Sequence, residues 1–157
     1  MPYTKIQRLF SVISGLWVGG FITIGFLVVP VLFTTLGDRQ VAGFIAATLF
    51  KINAYIGVGI CSLLMLVANH LVNLGNRSYQ QIRWMLLLML ICTVAAAFVI
   101  IPWMNALRDQ ALQLGISVRD TGNANLFALL HMISSVVFVI QSFLGIVLVW
   151  WSTKNAD

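Results

Sequence analysis

The sequence predicts an all-α membrane protein: a four-helix transmembrane bundle with an amphipathic surface helix between its first and second helices. Three observations carry this prediction. The 157 residues are 61% hydrophobic and 8% charged, whereas about 25% of residues are charged in a soluble domain. The mean hydropathy is +0.99, more apolar surface than a soluble fold can hide. Four long apolar runs, near 9–33, 52–74, 83–104 and 125–151, each reach the roughly 20 residues that cross a bilayer as a helix.

The last run, Asn125 to Trp151, is the most informative. His131, Ser134, Ser135, Ser142 and Gly145 recur at i, i+3 and i+4 spacing, so a helix gathers them on one side among leucines, valines and phenylalanines. Polar side chains facing lipid are costly, so this stripe needs protein or water opposite it.

The other elements follow in order. Lys5 and Arg8 precede the run Leu9 to Phe33, which is too long for a signal-peptide core and lacks a small-x-small cleavage site, so it reads as an uncleaved first span. Ser11, Gly15, Gly19 and Thr23 recur every four residues as a ladder of small side chains on which a neighbouring helix can pack closely. Pro30 is expected to kink or end the regular helix. Asp38 is an N-cap candidate after Gly37. Val41, Phe44, Ile45, Leu49 and Ile52 then give the surface helix, spanning Asp38 to Lys51 and leading into the second span at Ile52. Gly75-Asn76 supplies a stop and turn. The third span opens at Arg83-Trp84 and closes at Pro102-Trp103, with Asn105, Arg108 and Asp109 beyond it. Residues 111–124 form the most polar stretch and are expected to be a partly helical loop. No internal repeat or domain boundary is expected, so residues 1–157 read as a single polytopic membrane domain.

Charge and cysteine content bound the function. The net charge is +5, from nine Lys or Arg against four acids. These charges lie between apolar runs, where they meet lipid headgroups rather than nucleic acid. The N-terminus, middle loop and C-terminus hold Lys5, Arg8, Arg77, Arg83 and Lys154, and the opposite loops hold Arg39, Lys51, Arg108 and Arg119. This excess favours N-in and C-in, in a bacterial inner (plasma) membrane. Cys61 and Cys92 both lie in apolar runs and do not suggest a disulfide scaffold.

No Walker A loop, GxGxxG, HExxH, CxxC or GxSxG is present, and all four acids are Asp. That speaks against the familiar hydrolases and NTPases, and no catalytic residue or cofactor is assigned. The candidate functional residues are a polar cluster at one end of the spans: Asp38, Asn105, Arg108, Asp109, His131 and Ser134. Arg108 is expected to pair with Asp109, Asp38 or Asp120, and His131 to approach Asn105. Capping, mutual pairing and headgroup contact account for the cluster without a functional role, and for His131 alone hydrogen-bonded packing and a proton-handling or ligand role are equally compatible with the pattern. A second set is sulfur. Cys61 and Met65 share a face of the second span, and Met85, Met89 and Cys92 share a face of the third. Such ligands would suit a soft metal ion, although they also serve as ordinary apolar filling.

Leu16-Trp17-Val18-Gly19-Gly20, Val29-Pro30-Val31-Leu32-Phe33, Asp38-Arg39, Ala42-Gly43 and Leu49-Phe50 resemble the first half of the transmembrane-protein-205-like family. Pro102 with Met104-Asn105 and Arg108, then Phe127, Leu130-His131 and Ser134, resemble its second half. The resemblance implies a four-helix membrane protein. It also implies transport or resistance-related handling of a small solute or soft metal ion, since the eukaryotic relative is linked to platinum-drug resistance. The WVGG…VPVLF segment also resembles bacterial membrane-bound, haem-dependent protoporphyrinogen oxidases, which implies a haem- or porphyrin-linked redox protein. His70 and His131 lie about 27 Å and 9 Å into their spans from one side, so they cannot be two axial ligands of one haem. A non-catalytic assembly subunit is the third reading. Expected partners are membrane lipids and a second copy or another membrane protein.

Overall fold

The computed structural model describes residues 3–154. It consists of four long helices and no strands among the described residues. The first passes from an α-helix at Tyr3–Thr23 through a π-helical turn at Ile24–Val28 into a further α-helix at Val29–Thr35. The second is unbroken from Arg39–Asn73. The third runs from Ser78–Ala95 through a π-helical turn at Ala96–Ile100 into Ile101–Gln113. The fourth is Ala124–Lys154. All four are long and apolar enough to cross a membrane.

The turns follow from local chemistry. Asp38 does cap the second helix, its carboxylate accepting from the backbone N–H of Gln40 at 2.7 Å. Gly75 has φ 90° and Gly115 has φ 66°, a conformation that favours glycine. At Gly75 the Asn76 N–H donates to Leu71 O and the Gly75 N–H to Val72 O, and Ile116, Gly115, Ala111 and Leu112 repeat the pattern at the end of the third helix. Both helices therefore end in the paired bonds of a Schellman cap.

Two expectations change. The surface helix is not a separate element, because residues 39–51 form the first turns of the 35-residue second helix. The segment lacks a proline to break it, and its Gly43, Ala46 and Phe50 face the bundle. The third span likewise continues through Asn105, Arg108 and Asp109 to Gln113 instead of ending at 104.

The prolines explain the π-turns. Pro30 has no N–H and its ring clashes with the carbonyl four residues back. Val29 N–H donates to Ile24 O, five residues back, and Ile101 N–H donates to Ala96 O in the same way ahead of Pro102. Gly25 and Phe26, like Ala97 and Phe98, thereby lose the regular α-helical donors to their carbonyls. The sequence at the two turns is the same in kind: Gly25-Phe26-Leu27-Val28-Val29-Pro30 and Ala97-Phe98-Val99-Ile100-Ile101-Pro102. The likeness is confined to these six residues.

These turns divide the bundle into two halves. On the side of the 74–77 turn, the four helices pack together around Phe10, Cys61, Leu64, Leu71, Tyr79, Leu86 and Leu148, all at most 1% exposed. The stripe on the fourth helix is used there as expected: a Cβ on Gly145 would meet both Val18 methyl carbons at 2.8 and 2.9 Å, so the first and fourth helices touch through this glycine. Beyond the prolines the first helix stays with the second and the third with the fourth, while contact between the two pairs becomes sparse. Two rungs of the ladder on the first helix are not used in this packing: apart from their own helix turn, no described atom lies within 4 Å of where a Cβ on Gly15 or Gly19 would stand. Large apolar side chains such as Leu16, Leu66 and Phe143 cover the outside, as a lipid-facing surface requires.

Candidate functional site

Between the two separating helix pairs lies a cavity of about 370 Å³, within the range of ligand pockets. Its middle is aromatic, formed by Phe21, Phe26, Phe50 and Phe138, and Phe33 lies beside Gly43 nearer the 36–38 loop. Phe138 is the hub, with ring centroids 4.5 Å from Phe21, 5.4 Å from Phe26 and 5.7 Å from Phe50. This ring reaches so far because Gly25 lies on the π-turn: a Cβ there would collide with the end of the Phe138 ring. The π-turn and its glycine therefore shape the cavity wall directly.

The outer end is polar. Asn105, Arg108, His131, Ser134 and Ser135 line it. Arg108 Nη1 donates to Asn105 Oδ1 at 3.1 Å, and its guanidinium lies 5.2 Å from the Phe127 ring centre. This corrects the expected ion pair: among the described residues no carboxylate pairs with Arg108, and an amide one helical turn away takes that place. Asp38 is occupied by its cap, and Asp109 and Asp120 are exposed on the outer surface. The His131 ring stacks on Phe127 with an interplanar angle of 4°, and the Ser134 and Ser135 hydroxyls both donate to the His131 carbonyl at 2.8 Å. Each serine keeps its lone pairs for an incoming donor. Of the six residues in the predicted cluster, Asn105, Arg108, His131 and Ser134 come together around the cavity, and Asp38 and Asp109 do not line it.

The inner end is polar but neutral, and it lies roughly 20–30 Å along each helix from the 36–38 and 114–123 loops. Gln141 Nε2 donates to Thr93 Oγ1 at 2.8 Å and to Met89 O at 3.1 Å, and Thr93 Oγ1 donates to Met89 O at 2.7 Å. This network ties the fourth helix to the third. Asn53, 9% exposed, and Trp17, 8% exposed, complete the wall. The indole N–H of Trp17 is buried without a partner, against Gly57, whose Cβ would stand 3.4 Å from Nε1. Buried polar groups left unpaired are uncommon, and this one is closed off by protein, with almost no surface open to the cavity.

Asn53, Thr93 and Gln141 were not singled out from the sequence, and Trp17 entered only within the Leu16–Gly20 motif. Gln141 had a signal, since it lies on the same side of the fourth helix as Ser134, Phe138 and Gly145, a carboxamide in a stretch whose other polar residue is Ser142. Thr93 gave none, because threonine is common in membrane helices.

The sulfur set is arranged differently. Cys61, Met85 and Met89 belong to the packed core, with Met65 against it, whereas Cys92 is half-buried and outside that cluster. Among the described residues no group of three or more His, Cys, Asp or Glu side chains is placed to hold a metal. His70 is exposed and outside the cavity, so only His131 faces it, and a haem held there would have one histidine ligand at most.

No curated protein and no solved structure matches the chain. A family profile does match, over residues 12–113, a stretch that includes both proline turns, Asn53, Thr93 and Arg108. The chain belongs to the family described as Domain of unknown function (DUF4149).

Proposed function

We propose that this integral membrane protein is a binding protein or carrier that holds a small molecule in the cavity between its two helix pairs. The observation that carries the reading is the cavity itself: about 370 Å³, walled by phenylalanines, polar at both ends and framed by two proline-interrupted helices. The π-turns ahead of Pro30 and Pro102 border the cavity, and π-turns within helices are frequent at functional sites. The likeness of the Leu16–Gly20 and Pro102–Arg108 segments to the transmembrane-protein-205-like family agrees with transport or resistance-related handling. A haem-linked role has less support, since His131 stands alone at the rim.

A thermal-shift screen of the detergent-purified protein against metal ions, haem, porphyrins, phospholipids and small amphiphiles tests the proposal. A ligand held only by the folded state raises the apparent melting temperature by mass action. The expected result is stabilisation by an amphiphile and none by metal ions. Stabilisation by haem together with a Soret band would replace this reading with the redox one. A screen in which nothing stabilises the protein would contradict it.

A further inference from the structure

The cavity is polarised along its length, and this polarity selects a class of ligand, an inference that rests on the binding reading above. Arg108 is the one wall residue with a permanent charge, and the lining contains no Asp or Lys. A guanidinium offers five N–H donors. Here one hydrogen bond goes to Asn105 Oδ1, the cation lies near the Phe127 ring, and no carboxylate pairs with it among the described residues. Asp109 acts on this cation through space but makes no ion-pair contact with it; a cation without a contacting partner in a membrane helix is costly, and an oxyanion matches the guanidinium fork in geometry and charge. The Ser134 and Ser135 hydroxyls are already committed as donors to the His131 carbonyl, so Arg108 is the main anion-binding group at this end.

The inner end carries no charge, only the Asn53 and Gln141 carboxamides and the Thr93 hydroxyl beside the Trp17 ring. These groups fit water or an uncharged terminus, not a second ionised group. From His131 to Gln141 the fourth helix rises about 15 Å, and both residues line the cavity, so it is long enough for an extended apolar chain.

We propose that the cavity binds an amphiphilic anion through a carboxylate or phosphate at Arg108 and Asn105, with a single apolar chain running past Phe138 toward Trp17. An oxyanion on an apolar chain has two sources: a bilayer lipid that inserts one chain, and a free acid arriving from water.

Trp17 is the one tryptophan in the cavity wall, so bromine on a ligand chain should quench it. The test uses protein in which Trp84, Trp103, Trp150 and Trp151 are replaced by Phe, in nanodiscs of zwitterionic lipid, at a pH where carboxylic acids are ionised. The probes are ω-bromoundecanoate, ω-bromoundecanol and the corresponding bromoalkyl trimethylammonium. The acid is expected to quench Trp17 saturably and to bind at least about tenfold more tightly than the alcohol, the size of effect expected for a hydrogen-bonded charge. Arg108→Gln should bring the acid down to the level of the alcohol, and Arg108→Lys should retain part of the preference. Equal binding of acid and alcohol by the protein with Arg108 intact would overturn the anion assignment while leaving the binding reading in place. Absence of saturable quenching by any probe would overturn the binding reading itself. Nanodiscs containing chain-brominated phosphatidylglycerol identify the source: quenching relieved by undecanoate means a lipid occupant, and no quenching means a free acid.

Discussion

Replacing Gly145 by leucine should destabilise the protein by about 1–3 kcal/mol, the usual cost of overpacking, whereas Gly25→Ala should leave stability nearly unchanged and weaken ligand binding. Both glycines accept a side chain from another helix, but in different halves of the bundle. Gly145 faces Val18, whose methyl carbons stand 2.8 and 2.9 Å from the position of a Cβ. Val18 is 5% exposed, is stiff at χ1, and has packed neighbours on all sides, so the first and fourth helices must separate to admit more atoms. Gly25 faces the far end of the Phe138 ring, and Phe138 borders the cavity. An alanine there pushes the ring into open space, which fills the cavity at little structural cost and gains some helix propensity. Unfolding midpoints in mixed detergent, read beside ligand titrations, check the pair. An unchanged midpoint for Gly145→Leu would mean that the first and fourth helices do not meet at this point.

Arg108→Leu should weaken binding of an anionic ligand by at least about tenfold, since a hydrogen bond to a charged group is worth about 1.5–3 kcal/mol. Arg119→Leu should change it less than twofold, as is usual for an exposed charge. The two arginines follow one another across a single loop but have different surroundings. Arg108 is half-buried in the cavity wall and bonded to Asn105. Arg119 is exposed on the short 3-10 turn Val118–Asp120, where its side chain meets solvent or headgroups. Equal losses in calorimetric titrations of the two variants would reduce Arg108 to a headgroup contact.

The architecture was legible in the sequence because lipid imposes a single strong rule, that every backbone polar group crossing it must be bonded within the chain. Four apolar runs, the Asp38 cap and the Gly75 turn followed from that rule and from local turn chemistry. The stripe at His131, Ser134, Ser135 and Gly145 was also readable, because polar and small residues in an apolar helix must face protein. Three features were not readable. Length and pattern could not distinguish a surface helix from the first turns of a span, since Val41, Phe44 and Ile45 suit either. Pro30 and Pro102 signalled a break but not its form, and only the backbone bonds to Ile24 and Ala96 reveal the π-turns. The partner of Arg108 depended on how far Asp38, Asp109 and Asp120 are carried from it in space, which spacing along the chain does not contain. The cavity depends on the divergence of the helix pairs, and its inner wall joins Trp17, Asn53, Thr93 and Gln141 from four different helices.

A density map of the protein purified in native lipid shows whether the cavity exists and is occupied. The expected map has helix pairs that separate beyond Pro30 and Pro102, with elongated density running from the Arg108 guanidinium past Phe138 to Trp17. Helix pairs closed upon each other along their whole length, with Phe26 and Phe138 filling the gap and no density beside Arg108, would contradict the account.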